Sequence, residues 1–312
     1  MKVFKNVNIP KKYKGSALAI GNFDGVHLGH QKVFSKTRAI AKRKKMKFGV
    51  LTFTPLPVMF FNKNIKNYRL VSENQKLKLL KKNKVDFVIN IKFNKRFSNV
   101  SAENFIKEIL YKKIKAKLLV VSNNFKFGKN RKGDVRLLKK FSHKYGYSLL
   151  NIDPFKYSNK IISSTKIRKY LMSGNINLAN KLLSKTWFIE GVVKEGKKIG
   201  RKLGYRTCNI NIKNYILPKL GIYAVKVLIE NKKKIYGGIA YLGSRPTFGG
   251  KEIILEINIF GIKKNLYKKK LKVYFIKFVR KDLKFNNAPQ LIKQMNIDVT
   301  FAKKGLKAKL EI

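Results

Sequence analysis

The stretch AIGNFDGVHLGH, residues 19–30, joins an apolar run to a glycine-rich turn and holds two of the three histidines in this 312-residue chain. His27 and His30 are three positions apart, and a helix-like pattern begins at Gln31. This order is typical of a strand that ends in a tight turn and leads directly into a helix. In a doubly wound sheet, ligands bind at the carboxyl ends of such strands. The stretch therefore predicts an α/β fold and a ligand site in it.

Similar units follow along the first part of the chain. Short apolar runs at residues 48–53, 85–91, 117–122 and 147–153 alternate with amphipathic stretches at residues 31–45, 73–82, 102–113 and 135–145. Apolar strands that alternate with helices predict a doubly wound parallel sheet with helices on both faces.

The pattern changes after Trp187. Alternating, β-branched segments with glycine-rich turns occupy residues 187–279, and a helix with Pro289 in its first turn ends the chain. These features predict an antiparallel barrel or sandwich followed by a helix. We place the domain boundary near Lys185, which gives domains of residues 1–184 and 185–312.

The charge is extreme, with 73 Lys and Arg against 15 Asp and Glu. A nucleic-acid binder would have such a charge, but so would a chain from an A/T-rich genome, because the lysines are scattered and accompanied by abundant Asn and Ile. The single cysteine, Cys208, excludes a disulfide framework and fits a reducing cytoplasm. No stretch has the apolar length of a membrane span or a signal peptide.

The chemistry of the first turn favours phosphate. The helix after the turn would direct its unpaired N–H groups and the positive end of its dipole at the crevice. Imidazoles beside it can hydrogen-bond phosphate oxygens as charge develops in a transition state. Two other interpretations remain open for His27 and His30: ligands of a metal, or a structural pair.

The residues 21–30, GNFDGVHLGH, resemble the His-x-Gly-His signature of nucleotidyltransferases in the form that bacterial FAD synthetases have. Residues 162–168, ISSTKIR, resemble a second signature of that superfamily. The resemblance implies a Rossmann-like domain in which His27, His30 and Arg168 are catalytic and Asn124 and Phe125 bind flavin. The residues that it implies for ATP binding are Gly21, Asn22, Phe23, Asp24, His27, Gly29, His30, Ser163, Ser164, Thr165 and Arg168.

The second half resembles riboflavin kinases. GKKIGRKLGYRTCNI, residues 196–210, is similar to their Gly-Arg-x-Leu-Gly-Phe-Pro-Thr-Ala-Asn motif. The resemblance implies that Thr207 and Asn209 bind Mg²⁺, whose preferred ligands are oxygens. It adds ATP contacts from Gly200, Lys202, Gly204, Thr207 and Asn209.

The kinase resemblance also implies that Glu256 is the catalytic base, although an exposed strand residue is the simpler interpretation of this position. Residues 279–287, VRKDLKFNN, resemble the family's Arg-x-Glu-x-x-Phe motif. The resemblance implies that Arg280, Asp282 and Phe285 bind flavin. A loop between the barrel and the final helix could also contain these residues without that role. Departures from the family include Arg206 for proline, Cys208 for alanine, Tyr241 for asparagine, Gly261 for aspartate and Asp282 for glutamate.

Together the motifs cover the whole chain in order and resemble the bifunctional riboflavin kinase and FAD synthetase family. The resemblance implies phosphorylation of riboflavin to FMN and adenylylation of FMN to FAD, with Mg²⁺ and ATP in both steps. Expected partners are small molecules, with no specific nucleic acid or membrane, for a cytoplasmic monomer or weak homo-oligomer. Alternatives are a nucleotidyltransferase for another acceptor, a chain that retains one of the two activities, and a basic RNA-binding protein.

Overall fold

The computed structural model describes residues 1–195, 204–247, 250–262 and 264–306. The chain forms two compact units: the first contains Met1–Lys66 and Ser72–Ser163, and the second contains Asn67–Val71 and Ser164–Ile312.

The first unit is built on a six-stranded sheet in which all neighbouring strands are parallel. Its strands are β1 (Lys2–Phe4), β2 (Ala17–Ile20), β3 (Phe48–Thr54), β4 (Phe87–Lys92), β5 (Leu118–Ser122) and β6 (Ser148–Ile152). Its helices are α1 (Leu28–Arg43), α2 (Pro57–Phe61), α3 (Glu73–Lys82), α4 (Lys95–Ser98), α5 (Ala102–Asn104), which continues as a π-helix (Phe105–Ile114), and α6 (Val135–Ser142). A hairpin of β7 (Lys156–Tyr157) and β8 (Lys160–Ile161) follows.

Side chains on the two faces of the sheet pack into two separate cores. Ala17 and Ala19 of β2 pack with Phe34 of α1, whereas Leu18 and Ile20 pack into the core that contains the π-helix. The period of two in a strand directs successive side chains to opposite faces, so both faces are buried and the strands read as continuous apolar runs. The predicted doubly wound sheet is confirmed.

The strand order β1-β4-β3-β2-β5-β6 places β2 at the centre of the sheet. From β2 the chain adds β3 and β4 on one side, and then returns to add β5 and β6 on the other. The order therefore reverses between β2 and β5, and the crevice at this switch point is where open α/β sheets bind ligands.

The second unit contains a closed barrel of six strands, all paired antiparallel in the order β10-β13-β12-β11-β14-β9. The strands are β9 (Phe188–Lys194), β10 (Cys208–Asn211), β11 (Gly221–Ile229), β12 (Ile235–Thr247), β13 (Gly250–Ile259) and β14 (Lys270–Arg280). Helices α7 (Ser164–Met172) and α8 (Ile176–Leu183) precede the barrel, and α9 (Ala288–Gly305) follows it. The structure decides between the predicted barrel and sandwich in favour of the barrel.

A short strap, residues 67–71, is part of the second unit although the chain on either side of it belongs to the first. The strap pairs with the segment before β11, where Arg69 N–H donates to Asn214 O at 3.0 Å. The indole of Trp187 donates to Leu70 O at 2.7 Å. The division at residues 184 and 185 stays a prediction, because packing does not show which residues each activity needs.

Candidate active sites

The turn between β2 and α1, residues 21–27, is called the histidine turn below. Phe23 and Val26 lie in the left-handed region, with φ of 49° and 44°. Such a conformation costs a residue other than glycine about 1–3 kcal/mol, and it is least favourable for a β-branched residue. Backbone strain of this size is most often found at active sites and ligand-binding turns. The histidine turn lies at the carboxyl end of β2, beside the switch point where such folds bind ligands.

The two imidazoles stack at the start of α1. Their ring centroids are 3.6 Å apart with planes inclined by 21°, and His27 is the residue that precedes the first turn of the helix. A Cβ on Gly29 would come within 3.1 Å of His27 Cε1, so a glycine there leaves room for the ring. The first turn of a helix presents unpaired N–H groups and a positive dipole end, so both imidazoles are placed where a phosphate would bind.

The loop after β5 lies on the other side of the switch point and contains the predicted flavin residues. Asn124 Oδ1 accepts a hydrogen bond from Ser122 Oγ at 2.8 Å. The ring of Phe125 stacks on Phe127 with centroids 5.3 Å apart. The predicted residues on the histidine turn and on this loop therefore follow the carboxyl ends of the two neighbouring strands β2 and β5.

The predicted residues of the second signature lie where the chain passes from the first unit to the second. Ser163 ends the first unit, and α7, which begins at Ser164, belongs to the second. Arg168 is buried; its Nε donates to Tyr68 O at 2.8 Å, and its guanidinium lies 3.7 Å from the centre of the Tyr68 ring. That Ser163, Ser164, Thr165 and Arg168 converge on the histidine turn stays a prediction.

Three predicted kinase residues, Asn209, Glu256 and Arg280, lie in one row across the outside of the barrel. Asn209 of β10 is directly opposite Glu256 of β13, which is directly opposite Tyr241 of β12. Beyond Tyr241, Ile222 of β11 pairs with both Tyr241 and Arg280. Opposite residues of an antiparallel pair have Cβ atoms about 4.5–5.5 Å apart. The row therefore brings the predicted metal ligand Asn209 next to the predicted base Glu256.

Asn209 has a buried acceptor for which the structure shows no hydrogen bond: its Oδ1 is shielded from solvent. A buried amide oxygen without a donor is unfavourable by about 1–3 kcal/mol, and a cation removes that cost. An uncharged oxygen is also a ligand type that Mg²⁺ accepts beside phosphate oxygens. Thr207 precedes β10 by one residue, so the residues present fit the predicted magnesium site. Gly204, with φ of 82°, begins this stretch, while Gly200 and Lys202 lie outside the described residues.

Cys208 lies between the two predicted metal ligands. Burial raises the pKa of its thiol to about 11, so the sulfur stays protonated near neutral pH. Arg206, which replaces the proline of the motif, is held through its backbone, because Asn258 Nδ2 donates to Arg206 O at 2.8 Å.

The segment after β14 is held from two sides. Tyr241 Oη donates to Asp282 Oδ2 at 2.8 Å. Arg280 makes a bidentate ion pair with the buried carboxylate of Asp298 in α9, with Nη2–Oδ2 and Nε–Oδ1 distances of 2.7 and 2.8 Å. The ring of Phe285 has its centre 5.9 Å from the Arg280 guanidinium. Arg280, Asp282 and Phe285, the predicted flavin residues, therefore share one anchored segment.

Asn258 and Asp298 were not predicted from the sequence. The period of two along β13 would have placed Asn258 on the face of Glu256, and Asp298 is one of few carboxylates in a basic chain. Neither signal identifies the contact, because the partner of each residue is far away in sequence. Across the described ranges, no three side chains of His, Cys, Asp or Glu form a metal-binding group, and no helix is long and apolar enough to span a membrane.

Each half of the chain matches the model of a known protein family. Residues 9–166 match the model described as FAD synthetase, and residues 183–306 match the model described as riboflavin kinase. Three proteins named bifunctional riboflavin kinase/FMN adenylyltransferase are similar to the chain. The protein of Buchnera aphidicola subsp. Schizaphis graminum is 39% identical, over 97% of this chain and 98% of its own. Those of Haemophilus influenzae and Escherichia coli K12 are 36% and 33% identical, over 95% and 91% of this chain and 96% and 91% of their own.

A solved structure described as a macrolide-efflux protein from Streptococcus pneumoniae has the same fold, with a TM-score of 0.84 and 27% identity over 96% of this chain and 98% of its own. The family matches and the named relatives agree with the order of the two sites along the sequence. This chain therefore belongs to the bifunctional riboflavin kinase/FMN adenylyltransferase family, which phosphorylates riboflavin to FMN and adenylylates FMN to FAD with ATP as co-substrate.

Proposed function

We propose that FMN is adenylylated at the histidine turn. The first turn of α1 binds phosphate oxygens of ATP through its N–H groups, together with Gly21, Asn22, Asp24 and Gly29. The FMN phosphate attacks the α-phosphorus, AMP is transferred and pyrophosphate leaves. His27, His30 and Arg168 stabilise the charge that develops, and no covalent enzyme intermediate is needed.

The remaining contacts of this site come from two other loops. Asn124 and Phe125 bind the flavin, and Ser163, Ser164 and Thr165 bind the triphosphate. The support for this arrangement is the stacking of His27 and His30 at a helix N-terminus beside the switch point, because both features favour a phosphate at the same place.

Riboflavin phosphorylation occurs on the outer face of the barrel. Glu256 accepts the proton of the riboflavin 5′-hydroxyl while that oxygen attacks the γ-phosphorus of ATP and ADP leaves. Thr207 and Asn209 would hold Mg²⁺, and the bound ion would supply positive charge beside the ATP phosphates. Gly200, Lys202 and Gly204 contact ATP, and the anchored segment with Arg280, Asp282 and Phe285 binds the flavin.

The observation that carries the kinase assignment is the register of three strands. Asn209, Glu256 and Tyr241 are direct neighbours across β10, β13 and β12, although they lie up to 47 positions apart in sequence. A base and a metal ligand must both be close to the γ-phosphate, and this row provides them side by side.

A crossed pair of variants tests both assignments in one incubation with riboflavin, ATP and Mg²⁺, in which FMN and FAD are separated by chromatography. His30→Ala should lower FAD formation from FMN about 100-fold or more and leave FMN formation intact. Asn209→Ala should raise the Mg²⁺ concentration that half-saturates the kinase and leave FMN adenylylation intact.

Each variant has a matched control of the same residue type. His143→Ala removes an exposed histidine of the first unit. Asn211→Ala removes an amide two residues along β10, whose Oδ1 accepts a hydrogen bond from Lys213 N–H at 2.9 Å. If His30→Ala lowers both activities equally, or if Asn209→Ala behaves like Asn211→Ala, the corresponding assignment is wrong.

We also propose that the enzyme works in the cytoplasm on small molecules, as a monomer or weak homo-oligomer, without a specific nucleic acid or a membrane. The scattered lysines support this proposal, since an RNA site would concentrate charge with aromatic residues in one region.

A further inference from the structure

The histidine turn needs contacts that hold its left-handed backbone. Phe23 and Val26, with φ of 49° and 44°, would relax to ordinary conformations in an isolated peptide. Strain of this kind persists where surrounding contacts over-determine the backbone. The contacts that hold the turn are therefore as important for the placement of His27 as the turn itself.

Two side chains hold carbonyl oxygens at the two ends of the turn. Gln31 Nε2 donates to Val26 O at 3.0 Å. The hydroxyl of Thr52, on the neighbouring strand β3, donates to Asn22 O at 3.1 Å. Thr52 is fully buried, so water does not compete for its hydroxyl.

A buried lysine stands behind Thr52. Lys76 of α3 is 3% exposed, and its ammonium donates to Thr52 Oγ1 at 3.1 Å. An ammonium has donors and no acceptor, so Oγ1 must accept from Lys76. The one proton of the hydroxyl is then directed to Asn22 O. A charged donor also polarises the hydroxyl and strengthens the bond that it donates.

We propose that Lys76 is a positioning residue for FMN adenylylation. It acts through Thr52, which fixes the Asn22 carbonyl and with it the left-handed backbone that brings His27 to the start of α1. Lys76 has no contact with reacting atoms in this role. The inference rests on the proposed function of the histidine turn.

Lys76→Met and Thr52→Val test the proposal in the full-length chain. The first keeps the aliphatic stem and removes the ammonium, and the second removes the hydroxyl at nearly constant shape. Both should lower kcat for FAD formation from FMN by about tenfold or more, because small displacements of catalytic groups have effects of this size. KM for FMN and ATP should stay within about threefold, since substrate contacts are kept.

Riboflavin phosphorylation by the same variants is the internal control, because it uses the other unit and should stay within about twofold. Thr52→Ser restores the hydroxyl and should recover most of the adenylylation rate. Thr37→Val is the matched control: Thr37 is fully buried, and its hydroxyl donates to Val33 O inside α1 at 2.7 Å. This variant loses a buried hydroxyl without touching the turn, and its kcat should match the parent.

His30→Ala, measured in parallel, distinguishes a failure of the proposed adenylylation site from a failure of the positioning role of Lys76. If His30→Ala leaves adenylylation intact, the proposed site is wrong and this inference falls with it. If His30→Ala abolishes adenylylation while Thr52→Val and Lys76→Met keep the parental kcat, this inference alone is overturned. A parallel loss of kinase activity, or a rise in KM without a change in kcat, also overturns it. Should Lys76→Met fail to fold, Thr52→Val and Thr52→Ser decide the question.

Discussion

Glu256→Gln separates a catalytic role of this residue from a structural one. The substitution keeps the shape of the side chain but replaces an acceptor of protons with an amide that cannot take one near neutral pH. If Glu256 is the base, riboflavin phosphorylation should fall by about 100- to 10,000-fold. This range corresponds to about 2.7–5.4 kcal/mol of transition-state stabilisation.

The structure also predicts the stability of this variant. Glu256 is directly opposite Asn209, whose buried Oδ1 has no hydrogen bond in the structure. The new amide N–H₂ can donate to that oxygen, and one such bond contributes about 0.5–1.5 kcal/mol. For a unit of this size, 1 kcal/mol corresponds to about 2–4 °C in melting temperature. The melting temperature should therefore stay the same or rise by a few degrees.

The assay measures kinase turnover, riboflavin affinity by quenching of flavin fluorescence, and melting temperature on the same preparation. Riboflavin affinity should change little, and FAD formation from supplied FMN should equal that of the parent. Glu230→Gln, an exposed acid in the turn after β11, is the matched control and should keep full kinase activity. A near-normal kinase rate in Glu256→Gln, or a fall in rate that only follows a fall in melting temperature, would refute the catalytic role.

Three further predictions concern the thiol, the domain boundary and the charge. Because burial raises the pKa of Cys208 to about 11, alkylation by iodoacetamide at pH 8, followed by mass spectrometry, should be far slower in the native chain than in the urea-unfolded chain; similar rates would contradict the burial. A fragment of residues 164–312 should melt at a higher temperature than one of residues 185–312. The reason is that Asn180 of α8 bonds to the barrel twice: the backbone N–H of Trp187 donates to its Oδ1 at 2.8 Å, and its Nδ2 donates to Phe275 O at 3.1 Å. Equal melting temperatures in calorimetry would show that α8 does not stabilise the barrel. Polyanions should bind weakly and be released as salt is raised, in fluorescence anisotropy, without a change in flavin synthesis; a complex with one RNA sequence that survives physiological salt would favour the RNA-binding alternative.

The sequence predicted most strands because burial on both faces leaves an unmistakable apolar run. The runs at residues 48–53 and 117–122 became β3 and β5 almost residue for residue. Barrel closure was not predictable, because a sandwich and a barrel have the same alternation along each strand. Closure depends on β10, a four-residue strand that pairs with β9 and β13, and such a short segment has little pattern of its own.

Site residues were predictable where they belong to one local motif. His27 and His30 are three positions apart, so the sequence alone placed them together where a strand leads into a helix; α1 begins at Leu28, three residues before the predicted start at Gln31. The residues that support them come from distant parts of the chain, Thr52 on β3 and Lys76 on α3. The hydrogen bonds from Lys76 to Thr52 and from Thr52 to Asn22 O arise from the packing of β3 and α3, which sequence spacing does not determine.

Five departures from the kinase family have physical explanations in the structure, and they bear on whether the kinase is retained. Tyr241 and Asp282 change together: the acid is shorter than the glutamate of the motif, and the longer tyrosine reaches it with a hydrogen bond of 2.8 Å. Cys208 is a small, half-buried side chain whose thiol stays protonated near neutral pH.

The other two departures concern the backbone. Gly261 has φ of 74°, a left-handed turn after β13 that glycine adopts more readily than the aspartate of the motif. At residue 206 the ring of proline no longer restricts the chain, but Asn258 holds the carbonyl of Arg206 from the strand that carries Glu256. Substitutions in a site that has lost its function would accumulate without such compensating contacts. The pairing of each change with a local contact or conformation therefore favours a kinase site that is still maintained beside the adenylyltransferase.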